Sequence, residues 1–275
     1  MDLSSGAAIV TGAAGGIGAS MVRGLAGAGM AVVAADRDAE RLGALRSAVV
    51  RELPDAAPVV QTLVGDVRDP AHHEELVAAA RELGAVRLSV LNAGVTVTGW
   101  SWELPLAQWE LVFDTNYWGV VHGLRAALVE MVPAGEGWVV AVASGAGLVA
   151  TPGLAPYVSS KHAVVGVMES VHHELARVGS GVGVSVACPG NIATGLPERP
   201  DAFAGAPQDT ALADLHRTVR EGVRAGADPA TVVEAVLEAV RDGRFWVLPQ
   251  PEVGWVAHDR TRRLSDGEAP VDLLG

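Results

Sequence analysis

Lysine and cysteine each occur once in this sequence, and tyrosine only twice. The single cysteine, Cys188, excludes an intrachain disulfide and a cysteine-based metal site, and points to a reducing, cytoplasmic setting. Basic residues are outnumbered, with 20 Lys and Arg against 32 Asp and Glu and a formal net charge of −12. That balance argues against a broad nucleic-acid footprint, which needs Lys and Arg clustered on one face, and offers nothing to an anionic membrane. Charge is missing altogether from Leu3–Val22, Gly137–Ser160 and Val178–Pro197. Each stretch is long enough to raise the question of a membrane span. All three are interrupted by Gly, Ser, Thr or Pro, and the first follows Asp2 instead of a basic region, so neither a span nor a signal peptide is expected. Buried parallel strands, covered by helices on both faces, lose their polar alternation and explain the pattern better.

What is present is apolar mass and glycine. Hydrophobic residues make up 49% of the 275, and 33 are glycine, so a sizeable core is available and disorder is not expected. Short β-branched runs at Ala7–Thr11, Ala31–Ala35, Pro58–Val64, Leu88–Leu91, Gly137–Ala143, Gly183–Ala187 and Arg244–Leu248 read as strands. Between them, helical patterns cover Gly16–Ala28, Ala39–Glu52, Pro70–Leu83, Leu106–Met131, Pro156–Val178 and Pro229–Asp242. This alternation predicts a doubly wound α/β fold, a parallel sheet with helices on both faces, spanning residues 1–275 as one domain. One connection breaks the rhythm. Gly195–Asp228 is rich in proline, with a weak helical patch near Thr210–Val223, and its length suggests a substrate lid.

The first strand runs into Thr11-Gly12-Ala13-Ala14-Gly15-Gly16-Ile17-Gly18, which opens the first helix. Glycine belongs there because the chain must turn tightly, approach a pyrophosphate closely and let helix pack on strand. Phosphate then meets the free N–H groups and positive end of that helix. Asp36 ends the second strand, where a carboxylate accepts both ribose hydroxyls of an adenosine. Its charge also repels a 2′-phosphate. Arg37 could pull the other way, but no basic residue stands within the glycine loop, so NAD is expected over NADP.

The lone lysine, Lys161, lies four residues after Tyr157, placing both on one face of a helix. A chain that otherwise uses arginine has kept a compact ammonium here, and arginine's planar fork presents different donors. The chemistry that wants this pair is proton transfer coupled to hydride transfer. A free tyrosine titrates near 10, so bringing it to neutrality takes about 4 kcal/mol. A nearby ammonium and a positive nicotinamide ring would supply that. Ser144, just past a strand end, can donate a hydrogen bond to the substrate oxygen.

Taken together, Thr11–Gly18, Asp66, Asn92-Ala93-Gly94, Asn116, Ser144, Tyr157-Val158-Ser159-Ser160-Lys161 and Pro189-Gly190 with Thr194 resemble the short-chain dehydrogenases/reductases, in their compact single-domain branch. The resemblance covers about residues 4–248. It implies a seven-stranded Rossmann-like sheet and a catalytic tetrad of Asn116, Ser144, Tyr157 and Lys161. Asn116 would hold a water in the proton relay, Tyr157 would be the acid/base, and Lys161 would also bind the nicotinamide ribose. Gly12, Gly16, Ile17, Gly18, Asp36 and Arg37 would hold the cofactor, Asp66 and Val67 would flank adenine, and Asn92, Ala93 and Gly94 would line its cleft. Pro189 and Gly190 open the turn on which Ile192 and Thr194 would contact the nicotinamide carboxamide. The family usually assembles as a homotetramer or homodimer, with the helices Leu106–Met131 and Pro156–Val178 pairing across a two-fold axis.

Other features carry less. The His72-His73 and His172-His173 pairs lack metal-ligand spacing and read as structural, and Cys188 reads as a buried inert thiol. Trp100 and Trp102 either line a substrate mouth or pack at a subunit contact, while Trp118 reads as core or interface. Nothing in residues 251–275 points to a role. The expected function is an NAD(H)-linked interconversion of a secondary alcohol and a ketone on a neutral, hydrophobic small molecule. The alternatives are an NADPH-dependent reductase of a carrier-bound or steroid-like ketone, and a non-catalytic nucleotide-binding regulator.

Overall fold

The computed structural model describes residues 1–53, 60–194 and 210–271. Seven parallel strands form one sheet: β1 (Ala7–Thr11), β2 (Ala31–Asp36), β3 (Val60–Val64), β4 (Val86–Leu91), β5 (Gly137–Val142), β6 (Val182–Ala187) and β7 (Trp246–Val247). Their order is β3-β2-β1-β4-β5-β6-β7, with Ile9 registered between Val33 and Ser89. The charge-free stretches of the sequence are where β1, β5 and β6 lie. Alternate residues of each strand feed two separate cores. Ala8, Val10, Val32 and Ala34 pack under α1 (Gly16–Ala28), α2 (Ala39–Glu52) and α8 (Pro229–Asp242). Ala7, Ile9, Val33 and Ala35 pack under α3 (Pro70–Leu83), α5 (Gly119–Ala134) and α6 (Ala155–Arg177). Both faces are covered, so no strand needs a polar side.

Local chemistry fixes the element ends. Asp69-Pro70 and Asp228-Pro229 each pair a capping carboxylate with a proline at the first helical turn, and the Asp side chains accept from Ala71 N and Ala230 N. Gly29, at φ 105°, ends α1 in the left-handed region. Strand order reverses between β1 and β4. In open α/β sheets the crevice beyond the strand ends at such a point is where ligands bind.

Three expectations are corrected by the structure. The helix expected over Leu106–Met131 is α4 (Leu106–Phe113), a π-helical turn at Asp114–Trp118, and then α5. The break follows from Asn116, whose side chain is drawn into hydrogen bonds outside its own helix, and one inserted residue leaves the apolar periodicity almost unchanged. The last strand shortens from Arg244–Leu248 to Trp246–Val247, since only those residues pair with β6. Residues 251–275 are not a featureless tail: Pro251–Asp266 is the helix α9, with only Val253 buried. Within the expected lid, Thr210–Arg224 is the regular helix α7. The remainder of the lid's first half, residues 195–209 with Leu196 and Phe203, lies outside the described residues, as do the first two residues of the expected third strand.

Candidate active site

The glycine loop sits at the strand reversal with little room to spare. Gly12 turns at φ 64°, and a Cβ there would stand 2.7 Å from Ala93 Cα. Gly18 faces back across the loop, where a Cβ would collide with the Gly12 carbonyl oxygen and stand 2.7 Å from Asn92 Nδ2. Gly16, at φ 53°, lies against the Thr194 side chain. No side chain caps α1, so the amides of its first turn, at Gly16, Ile17 and Gly18, have no side-chain acceptor and the positive end of the helix dipole lies there. The loop is pinned from below: Asn92 Nδ2 donates to the carbonyls of Thr11 and Gly12, and Thr11 Oγ1 accepts from the amides of Asn92 and Ala93.

Asp36 is buried at the end of β2, and its carboxylate accepts from Ala14 N at 3.0 Å and Asp38 N at 3.1 Å. The acid thus helps shape the glycine loop it stands beside. A cleft lined by Gly12, Asp36, Arg37, Asp66, Val67 and Arg68 opens next to it. There Arg68 grips Asp66 with Nη2 to Oδ2 at 2.6 Å, and this bond holds the Asp66 carboxyl below the usual range. Val67 leans on Gly119, and its carbonyl accepts from His73 Nε2 at 2.9 Å. Burial keeps His73 below its ordinary titration range and so neutral.

The expected tetrad converges at the adjoining end of the sheet. Asn116 is fully buried; its Oδ1 accepts from Val95 N at 2.8 Å, and its Nδ2 donates to Val95 O and Ser160 Oγ. Its side chain therefore ties the turn after β4 to α6. Ser160 Oγ in turn donates to the Tyr157 carbonyl at 2.7 Å. Ser144 leaves β5 in an extended conformation, and its hydroxyl lies within hydrogen-bond reach of Tyr157. Lys161 Nζ donates to Val142 O at 2.9 Å and lies 5.7 Å from the centroid of the Tyr157 ring. A Cβ on Gly94 would stand 3.3 Å from Asn116 Oδ1 and 3.5 Å from that Nζ, so Gly94 lies directly beside both side chains.

Within the chain itself, apart from any dinucleotide, burial dominates the electrostatics of the Tyr157 and Lys161 pair. Burial pushes the Tyr157 phenol up, and the Ser144 hydrogen bond opposes that only in part. Burial also brings Lys161 down to about 8, leaving it an ammonium at neutral pH. Cys188 lies close enough for Lys161 to favour its thiolate, yet burial wins and pushes the thiol up to about 12, as an inert cysteine requires.

The turn after β6 runs through Pro189, Gly190, Ile192 and Thr194. Ile192 is buried and bridges to Ala227, so the far end of the expected lid returns to this turn. From α7, Leu212, Leu215 and His216 are buried, and Leu215 presses on Gly153 beside Thr98. Trp100 and Trp102 stack on each other with rings 3° from parallel, and Trp102 is 78% exposed. Trp118 is not core: it is half-exposed, stacked on His122. Sequence reasoning missed Arg68, His73, His216 and Gln250 as site neighbours. Only Arg68 left a trace, as a cation two residues past Asp66.

Comparison with known proteins settles the family. The profile of the short chain dehydrogenases matches residues 6–202. The chain belongs to that family. A crystal structure of a short chain dehydrogenase/reductase from Burkholderia phymatum in complex with NAD superposes with a TM-score of 0.91 at 31% identity, covering 100% of this chain and 99% of that one. The 1-deoxy-11-beta-hydroxypentalenate dehydrogenase of Streptomyces avermitilis is 37% identical over 70% of this chain and 71% of its own. A CLA biosynthesis dehydrogenase/reductase of Lactiplantibacillus plantarum is 29% identical over 99% of this chain and 98% of its own. The chain is therefore an oxidoreductase of the short-chain type with a Rossmann-like fold. Among the described residues, no helix is long and apolar enough to cross a membrane.

Proposed function

We propose that the chain, acting as one unit, is an NAD(H)-dependent oxidoreductase that interconverts a secondary alcohol and a ketone on a neutral, hydrophobic small molecule. The observation that carries this is the grouping of Ser144, Tyr157 and Lys161 beside Gly94, which itself lines the cleft shared by Gly12 and Asp36. A dinucleotide fits these residues: backbone fills the space where a Cβ on Gly12 or Gly18 would go, α1 is uncapped, and a buried carboxylate stands by the loop. Gly12, Gly16, Ile17, Gly18, Asp36, Asp66, Val67 and Asn92–Gly94 would hold it, with Pro189, Gly190, Ile192 and Thr194 at the nicotinamide end. When bound, it accepts or donates the hydride.

The chain's residues handle the proton and the oxygen. Ser144 Oγ donates to the substrate oxygen and steadies charge developing there. In reduction the Tyr157 phenol donates its proton to that oxygen; in oxidation the phenolate takes the proton back. Lys161 supplies fixed positive charge beneath the phenol, and Asn116 holds α6 in place through Ser160. The substrate reading rests on the rim from Gly145 to Leu154, which is small, aliphatic and uncharged, and on Leu212 and Leu215 brought over it by α7. The lone buried thiol of Cys188 suits a reducing cytoplasm. A kinetic screen of secondary alcohols of increasing size with NAD tests the whole reading, and turnover restricted to anionic substrates would overturn its substrate half.

Cofactor choice is a separate matter. Asp36 is buried and engaged by the loop, so seating a 2′-phosphate beside it should cost more than about 1.4 kcal/mol, or tenfold in kcat/KM in favour of NAD. Asp36→Ala is expected to relax that ratio. A second reading, NADPH dependence, has one observation in its favour: Arg37 and Arg68 line the same cleft. Arg68 is held by Asp66, with Nη2 to Oδ2 at 2.6 Å. Faster turnover with NADP at equal concentration would establish that reading instead.

A homodimer or homotetramer completes the proposal. Trp118, Val129 and Val132 are exposed along α5 and the turn before it, with Val129 77% exposed and His122 and Arg125 between them, a mixed face that a second copy would cover. Light scattering at micromolar concentration should show at least a dimer, and a monomer would remove the claim.

A further inference from the structure

The corner between β7 and α9 touches both turns that carry the reaction side of the site. Gln250 Oε1 accepts from Gly190 N at 2.9 Å, across 60 residues of sequence. Val253, one turn later, is buried and reaches both ways. A Cβ on Gly145 would stand 3.4 Å from its Cγ1, and a Cβ on Gly190 would stand 3.4 Å from its Cγ2. The two turns are also joined to each other, since Gly145 N donates to Pro189 O at 2.7 Å. Val253 N donates to Gln250 O at 3.2 Å, which fixes the corner itself.

We propose that Gln250, seated by Val253, is a positioning residue that sets the spacing between the Ser144 turn and the Pro189–Thr194 turn. It acts through the Gly190 amide and touches no reacting atom. A Cβ on either glycine would meet Val253 only at ordinary contact distance, so Val253 packs directly beside both turns. The Gly190 amide depends on the Gln250 carbonyl, and a donor left without an acceptor at a partly buried turn will drag the backbone toward another partner. Displacements well under an ångström between hydrogen-bond donor and reaction centre are enough to slow turnover.

The inference rests on the function proposed above, so its test carries a readout independent of turnover. Gln250→Met keeps the side chain's length and removes the acceptor; Gln250→Glu retains an acceptor oxygen. In the full-length protein, Gln250→Met is expected to lower kcat by about tenfold with a smaller rise in the KM for NAD, since the displaced turn also carries Ile192 and Thr194 while the Asp36 end of the site keeps its contacts. Gln250→Glu should recover most of the lost rate. Hydrogen exchange without dinucleotide should show faster exchange over residues 144–149 and 186–194 in Gln250→Met and not in Gln250→Glu. Wild-type kcat and wild-type exchange in Gln250→Met would overturn the inference. So would equal rate losses in both variants accompanied by equal falls in thermal midpoint, which would mark a purely structural role. A wild-type protein inactive on every alcohol would remove the functional reading, while the exchange comparison would still decide this one.

Discussion

Tyr157→Phe is expected to lower kcat by at least about a hundredfold, roughly 2.7 kcal/mol in the barrier, with dinucleotide affinity changed by less than about twofold. The substitution removes the hydroxyl proposed to move the proton and keeps the ring that packs beside Lys161. Steady-state oxidation of a turned-over alcohol and a fluorescence titration with NADH measure the two quantities. A variant keeping a tenth of the wild-type rate would mean that some other group carries the proton. The direction of the Tyr157 shift adds a pH signature. Oxidation needs the phenolate, and burial makes that form scarcer than in free tyrosine. The oxidation rate should therefore climb with pH through neutrality and into the alkaline range, where more phenolate is present. Reduction needs the phenol, so its rate should stay level across neutral pH and fall only where the phenol ionises. An oxidation rate that is flat from pH 6 to 8 would contradict the raised phenol.

The parts of this site legible in the sequence are those that one residue type alone can perform. A loop that must pass under a helix end reads as glycine, and Asp-Pro pairs at 69–70 and 228–229 mark helix starts because cap and proline act locally. Lys161 stood out because a chain built on arginine kept one ammonium, and the structure places it on the same helix face as Tyr157. The π-turn at Asp114–Trp118 was not legible, since its cause is Asn116 reaching Val95 and Ser160, contacts far apart in sequence. The helix α9 escaped for a different reason. It buries only Val253 and is otherwise held by surface pairs such as Arg262 with Asp259 and Asp266, which leave no apolar stripe to read. Burial at Tyr157 was not legible either, because spacing along a helix shows neighbours and not loss of water. Lys161 is near, but it is turned to the Val142 carbonyl, and loss of water is the larger effect.

Gly18→Ala should be among the most damaging small changes for dinucleotide binding. Its added methyl would collide with the Gly12 carbonyl oxygen and stand 2.7 Å from Asn92 Nδ2. Neither neighbour can give way easily. Asn92 is fixed by donating to Thr11 and Gly12, and Gly12 cannot retreat because it already lies against Ala93. The methyl must instead lever the start of α1 away from β1 and β4, opening the cradle at the point where phosphate would meet the helix amides. Overpacking of this kind costs about 1–3 kcal/mol of stability. The loss in dinucleotide affinity should be larger than stability alone suggests, on the order of a hundredfold, since every amide in the first turn moves together. Gly27→Ala is the control. It lies in the same helix, nothing stands within 4 Å of a Cβ there, and replacing a helical glycine should raise stability by about 0.5–1 kcal/mol. Titration with NADH and thermal unfolding of both variants separate the two outcomes. If Gly18→Ala bound NADH as tightly as Gly27→Ala, the dinucleotide would not be held by this helix end, and the cradle would have to be sought elsewhere along the crevice.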